Sequence, residues 1–293
     1  EQVQLGSRSY SPEELSGLVL AKLKRDAERH LGHDIRDAVI TVPAHFNETR
    51  RRATKDAARL AGFRQVKLLS EPTSAALAYA HRQRSGRNIL VYDLGGGTFD
   101  VSCLVREGRH YRVRSTRGDG NLGGVLFDDA LRARVRTAFE AQSGFELHGD
   151  PAIEQQLADY CERAKIELSN SDSTVIALPF AGLSGKITHL RYELTRDELN
   201  SLISEWIRHS VRLTLGAIEE AGFGMGGVDA LVLSGGSSRI PLVQQYLKKA
   251  IGLEEVSLVN PDEIVAMGAA IYAYSVGSDV LLEDVSGYTD RKS

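Results

Sequence analysis

The residues best equipped for chemistry form one run, Asp93-Leu94-Gly95-Gly96-Gly97-Thr98-Phe99-Asp100. Glycines lack a Cβ, so their backbone amides can approach an anion closely and positive φ carries little cost. Thr98 adds a hydroxyl donor, and Asp93 and Asp100 supply hard carboxylate oxygens suited to magnesium and its bound water. Upstream, Asn88-Ile89-Leu90-Val91-Tyr92 is an apolar run; downstream, Phe99, Val101, Cys103 and Val105 occupy every second position. The glycines therefore sit in a strand-to-strand turn. A dinucleotide fingerprint needs a helix after its glycines and a Walker loop needs a lysine, and this run has neither. Gly-Gly-Gly alone would mean a tight turn and nothing more. Acid, threonine, aromatic and acid at these offsets favour an anion-and-metal site.

A second glycine turn, Val232-Leu233-Ser234-Gly235-Gly236-Ser237-Ser238-Arg239-Ile240-Pro241, leads from an apolar strand towards a helix N-terminus. Amides and dipole there favour a phosphate, the glycines leave room for a flat sugar or base, and Arg239 can stack on an aromatic base. On its own, such a turn more often serves packing.

The elements that must position these turns read as two similar blocks. Ser11-Pro12-Glu13-Glu14 is a capping box opening a helix through Leu15, Leu18, Val19, Leu23, Ala27 and Leu31, which Gly32 ends. A strand at Ala38–Val42, a helix from Asn47 to Ala61, a strand at Val66–Leu69 and a helix from Pro72 to about His81 follow. The order returns with a second capping box, Thr195-Arg196-Asp197-Glu198, on a helix running to about Ala221. Next come a strand at Ala230–Leu233, a helix from Arg239 to Ala250, a short strand at Val256–Leu258 and a helix capped by Asn260-Pro261-Asp262-Glu263. This is an internal structural repeat. Strands at Asn88–Leu94, Phe99–Val105 and His110–Thr116 precede the second block. An insertion, Gly123–Tyr192, separates them from it and holds helices near Phe127–Phe139 and Ala152–Leu168 and two strands. By symmetry the first block should also be preceded by three strands, and the residues before Ser11 are too few to supply them. The expectation is a first lobe without its opening.

Composition excludes several classes. With 293 residues the chain can build two domains with sizeable cores. A net charge of −3, from 36 basic and 39 acidic residues, provides no bulk field for nucleic acid or an anionic membrane surface. Arg50-Arg51-Arg52 reads as a solvated helix face. Two cysteines, Cys103 and Cys161, cannot form a disulfide framework and point to a reducing, cytoplasmic compartment. No apolar run reaches the roughly 18 residues of a membrane span, and no signal sequence is visible near Glu1.

Together the two glycine turns, Val42-Pro43-Ala44-His45-Phe46-Asn47, Ser70-Glu71-Pro72-Thr73-Ser74-Ala75-Ala76-Leu77-Ala78-Tyr79, Gly118-Asp119 with Leu122-Gly123-Gly124, Cys161-Glu162-Arg163-Ala164-Lys165 and Asn260-Pro261-Asp262-Glu263 strongly resemble the nucleotide-binding domain of the seventy-kilodalton heat-shock (DnaK-type) chaperones, in order along nearly the whole chain. The resemblance implies an α/β, actin-like ATPase (ribonuclease H-like) bilobal fold. ATP or ADP and magnesium would lie between the lobes, with co-chaperone partners (a J-domain protein and a nucleotide-exchange factor) and unfolded peptides held by a separate domain. It implies that Asp93, Glu71, Thr98 and Asp100 serve catalysis, with Asp93 and Asp100 holding magnesium through water and Glu71 positioning the attacking water. Gly95, Gly96, Gly97 and Thr98 would bind phosphate, Glu162, Lys165 and Ser169 the adenosine, and Gly123, Gly124, Gly235, Gly236, Ser237, Arg239 and Asp262 would close the site. Pro43 and Arg51 would relay nucleotide state. Read independently, Glu71 before Pro72 is also an ordinary acidic helix start, and Glu162, Lys165 and Ser169 share one helix face that would usually be solvated.

The expected lobes are 1–85 for the remnant of the first, 86–122 and 195–278 for the core of the second and 123–194 for its insertion. The tail 279–293, with Asp279-Val280-Leu281-Leu282-Glu283-Asp284-Val285, resembles an interdomain linker. Departures stand beside the likeness. Val125-Leu126 replace two acids, His45 a tyrosine and Ile166 an arginine found in some members. The family's first phosphate loop and catalytic lysine should precede Glu1, so weak ATP binding and poor turnover are expected of these residues alone. The competing readings are a sugar or acetate kinase on the same fold and a non-catalytic interaction module.

Overall fold

The computed structural model describes residues 2–83, 86–108, 110–144, 151–178, 189–224, 226–253, 260–275 and 282–283. Two compact units are formed: 1–91, 102–116 and 263–293 make the first, 92–101 and 117–262 the second.

The first unit opens with a hairpin absent from the sequence expectations, β1 (Val3–Leu5) antiparallel to β2 (Arg8–Tyr10), turned at Gly6 with φ 60°. Helix α1 (Pro12–Leu31) begins as expected. Ser11 Oγ accepts from the Glu14 amide at 3.2 Å and the Glu14 carboxylate accepts from the Ser11 amide at 2.8 Å. Gly32, at φ 74°, ends it. The helical period of Leu18, Val19, Leu23 and Leu31 correctly marks a helix but not a buried face, because each remains 55–60% exposed. The buried residue of α1 is Gly17, where a Cβ would stand 3.1 Å from Leu60 Cβ of α2 (Glu48–Leu60).

Asn47 caps α2 by accepting from the Arg50 amide at 3.0 Å. The strands β3 (Asp37–Val42) and β4 (Gln65–Ser70) pair in parallel from Asp37↔Gln65 to Val42↔Ser70. They feed α3 (Glu71–Arg82), in which Pro72 to Ala80 are all buried. Such a helix needs cover, and α8 (Ile264–Ser275) supplies it. Gly268 lies directly on the backbone of Ser74, and Ser74 Oγ donates to the Val265 carbonyl at 2.6 Å.

Strands β5 (Asn88–Leu94), β6 (Phe99–Glu107) and β7 (His110–Asp119) run through the division between units. The strand order is β10-β5-β6-β7-β11, with β10 at Ala230–Ser234 and β11 at Leu282–Glu283. The linker-like tail is described only at β11, which pairs in parallel with β7 at Leu282↔Tyr111 and Glu283↔Arg112. The expected strand at Val256–Leu258 lies outside the described residues.

The second unit packs α4 (Gly124–Ser143) on α5 (Pro151–Glu167) and α6 (Arg196–Ala221), with the hairpin β8 (Ser173–Leu178) and β9 (Leu190–Thr195) beside them. The fully buried Tyr92 meets the Phe99 ring at 4.7 Å, and its hydroxyl hydrogen-bonds Ser210 Oγ at 2.7 Å. Burial pushes that phenol's pKa above its usual range. Two sequence expectations change here. Thr195 caps α6 by accepting from the Glu198 amide at 3.2 Å, but the Glu198 carboxylate is taken by Tyr192 Oη and Arg134 Nε, so the second capping box is half formed. The helix expected from Arg239 is a 3₁₀ turn over Gly236–Arg239 followed by α7 (Pro241–Ile251), because Pro241 lacks an amide hydrogen and suits a helix start.

Candidate functional site

The triple-glycine bend is closed by the Gly95 amide donating to the Thr98 carbonyl at 3.0 Å, and Gly96, Gly97 and Thr98 stand exposed. Its other side is held by backbone. The amides of Gly124 and Val125, at the start of α4, donate to the carbonyls of Gly95 and Gly96 at 2.9 and 2.7 Å. Gly123 crosses the Gly96–Gly97 peptide so closely that a Cβ there would overlap it. The second glycine turn arrives at the same point. Ser237 Oγ donates to the Gly95 carbonyl at 3.0 Å, and Gly235, at φ 80°, packs on the Leu94 carbonyl and the Asp93 carboxylate. Thus β5, the start of α4 and the turn after β10 converge. Ser237, expected as a nucleotide ligand, is also a brace between loops.

Asp93 and Asp100 sense one another electrostatically. Burial pushes the Asp93 carboxyl up to about 6; the negative charge of Asp100 adds to that, and a hydrogen bond from Ser234 opposes it. Room for Asp100 depends on Gly118, since a Cβ there would stand 2.7 Å from Asp100 Oδ1. Among the described residues, no group of three or more His, Cys, Asp or Glu side chains is arranged to hold a metal ion. Asp93 and Asp100 instead supply two carboxylates, the donor type that would hold a hydrated divalent cation, whose charge would oppose the burial and repulsion that raise Asp93.

Beside the bend lies a cavity of about 630 Å³, walled by Gly96, Gly124, Asp128, Glu162, Lys165, Ser169, Gly236, Ser237, Arg239 and Asp262. Glu162 and Lys165 share it one helical turn apart on α5, and Ser169, expected on the same helical face, reaches it from the turn that follows α5 at Glu167. So do Val125 and Ile166, at 57% and 58% exposure. Lys165 is not solvated, as an unaided reading of that face would have it. Its side chain is 9% exposed, and Nζ donates to Asp128 Oδ2 at 2.7 Å and to the Gly124 carbonyl at 3.2 Å. Arg239 is likewise held, with Nη2 at 2.5 Å and Nε at 3.1 Å from Asp262 Oδ2 and Nη2 at 3.2 Å from Asn260 Oδ1. Asp262, expected as a ligand contact, here fixes the plane of Arg239.

Sequence reasoning missed Asp128, Ser234 and Gln244. Ser234 stands within the second glycine turn, where no role was assigned to it, and Gln244 follows that turn and donates to the Arg239 carbonyl at 3.3 Å. Asp128 carries no local signal, because its partner is 37 residues away.

The other expected residues belong to the first unit. Glu71 starts α3, half-buried, directly after β4. Pro43 follows β3, and Arg51 donates from Nε to the Phe46 carbonyl at 3.0 Å, fixing the β3–α2 connection. His45 meets Phe46 edge-on at 5.6 Å.

A mixed α/β fold with glycine turns gathered beside a cavity of nucleotide size defines a nucleotide-binding domain. The family model described as Hsp70 protein matches residues 1–289, so the chain belongs to the Hsp70 family and carries its nucleotide-binding domain. Domains of this family bind ATP and ADP, hydrolyse ATP and serve as the motors of molecular chaperones. Among the described residues, no helix is long and apolar enough to cross a membrane.

Proposed function

We propose that this chain binds ATP and ADP with magnesium at the Gly95–Thr98 bend and hydrolyses ATP in an actin-like, two-lobed domain serving a cytoplasmic chaperone cycle with co-chaperones and unfolded peptides. The observation that carries the reading is the convergence of Gly123–Gly124 and Ser237 on the bend, beside a cavity lined by Lys165 and Arg239. Amides of Gly96, Gly97 and Thr98 would meet phosphate oxygens, and the hydroxyl of Thr98 would lie against the terminal phosphate. Arg239, hydrogen-bonded to Asp262 and Asn260, would offer its guanidinium face to the base in the cavity that Ile166 also lines. Glu162, Lys165 and Ser169 would serve the sugar.

Asp93 and Asp100 would hold magnesium through water, and the bound ion would neutralise phosphate charge. Burial, with the charge of Asp100 adding to it, raises the Asp93 carboxyl, and a bound cation would favour its ionised form. Glu71 would orient the attacking water, and Pro43 and Arg51 would pass nucleotide state onward. In this reading the lobes would span 1–85 for the first, 86–122 and 195–278 for the core of the second with its insertion at 123–194, and 279–293 would serve as a linker.

Isothermal titration with ATP and magnesium, paired with phosphate release, tests the reading. The expected result is saturable binding that Asp93→Asn weakens at least tenfold only when magnesium is present. ATP consumption that requires an added sugar or acetate would replace this reading with a kinase. Absence of binding at millimolar nucleotide would replace it with a non-catalytic module.

A further inference from the structure

Lys165, read above as a contact for the sugar of the nucleotide, is itself held among acids. Asp128 takes its ammonium at 2.7 Å, and Glu162 lies one helical turn away on the same wall. An ammonium has three donors. Asp128 and the Gly124 carbonyl accept two of them, which leaves one for the cavity that Lys165 lines. The approach of Lys165 to Gly124 also depends on that residue being glycine, since a Cβ would stand 3.0 Å from Nζ. Asp128 is therefore the side-chain partner that decides where the remaining donor stands.

The pair is poorly arranged for stability alone. Asp128 Oδ1 is buried with no hydrogen-bond partner among the described residues. Burial raises its carboxyl pKa, and the neighbouring Glu162 and Asp129 add to that rise against the lowering effect of Lys165. An ion pair selected for folding would satisfy that oxygen or be replaced by apolar side chains of similar volume. Asp129, next in sequence, behaves as an ordinary surface acid, 2.8 Å from Arg132.

We propose that Asp128 is a positioning residue for nucleotide binding: it pins the Lys165 ammonium at the cavity wall, so that the affinity contributed by Lys165 depends on a carboxylate the nucleotide does not touch. This rests on the nucleotide reading above. Losing the carboxylate frees a long side chain to adopt several rotamers and removes a charge-assisted hydrogen bond, an effect on the order of tenfold.

The test measures ATP dissociation constants, KM and kcat for the full chain, Lys165→Met, Asp128→Asn, the double variant, Asp128→Glu and the control Asp129→Asn. Lys165→Met and Asp128→Asn should each weaken ATP about tenfold, in KM rather than kcat, and the double variant should be no weaker than either. Asp128→Glu should recover part of the affinity, and it remains informative if Asp128→Asn does not fold. Asp129→Asn should match the parent. ATP binding that Lys165→Met weakens and Asp128→Asn leaves intact overturns the inference alone, as do strictly additive losses. A parent chain that binds no ATP overturns the nucleotide reading and the inference with it. A lowered melting temperature with unchanged affinity in Asp128→Asn would make the pair structural and overturn the proposal.

Discussion

The carboxyl group of Asp93 ties the site to folding. In the metal-free chain burial moves it from the ordinary 3.8 to about 6. The folded state then holds a proton that the unfolded chain has released, so stability falls as pH rises through that interval and levels off above it. About two pH units of displacement correspond to about 3 kcal/mol. In chelator, Asp93→Asn should therefore melt higher than the parent at pH 7, with the difference closing towards pH 4. Magnesium with ATP should raise the melting point of the parent, and raise that of Asp93→Asn by clearly less. Parallel melting curves across this pH range would show that the carboxyl is not strained by its surroundings. The same residue would thus weaken the empty protein and strengthen the loaded one.

At the scale of elements, the contact of α3 with α8 offers the sharpest test. Gly268 sits against the Ser74 backbone, so Gly268→Ala must push the helices apart or bend one of them. A loss of about 2 kcal/mol or more is expected in urea denaturation. Gly32→Ala, at φ 74° but with open space around it, should cost about 1 kcal/mol through backbone strain alone. Equal losses at the two sites would refute the crowding argument.

Elements with local signals were legible. Ser11 with Glu14 and Asn47 announced helix starts, Gly32 a helix end, and the alternation around the glycine bend two strands. The β1–β2 hairpin was missed because three-residue strands are too short to show a period. The exposure of Leu18, Val19 and Leu23 could not be read, because a helical repeat marks an apolar stripe without naming what covers it. Within the site, glycines and hydroxyls were visible as types. The bonds from Lys165 to Asp128 and from Ser237 to the Gly95 carbonyl were not, since they span 37 and 142 residues and exist only after packing.

For the whole molecule, a net charge of −3 implies no strong long-range attraction for an anionic nucleotide, so affinity must come from the local cage of amides and fixed cations. The residues lining the cavity all belong to the second compact unit. Nucleotide at about a hundred times its dissociation constant should stabilise the folded chain by about 2.7 kcal/mol. Hydrogen exchange should show the strongest added protection at 95–98, 123–128 and 235–239. Protection spread evenly along the chain, or absent from those three stretches, would remove the bend from the binding event.

Where Gly123 passes over the Gly96–Gly97 peptide, main chain rests on main chain with no room for a methyl group. Random mutagenesis should consequently yield an inverted map of tolerance. Surface helices rich in charge would accept almost any replacement, whereas this chemically bare crossing would accept almost none. Selection for altered nucleotide preference would then be channelled to the rim, through Val125, Ile166 and Arg239, where side chains can be exchanged while the crossing stays closed.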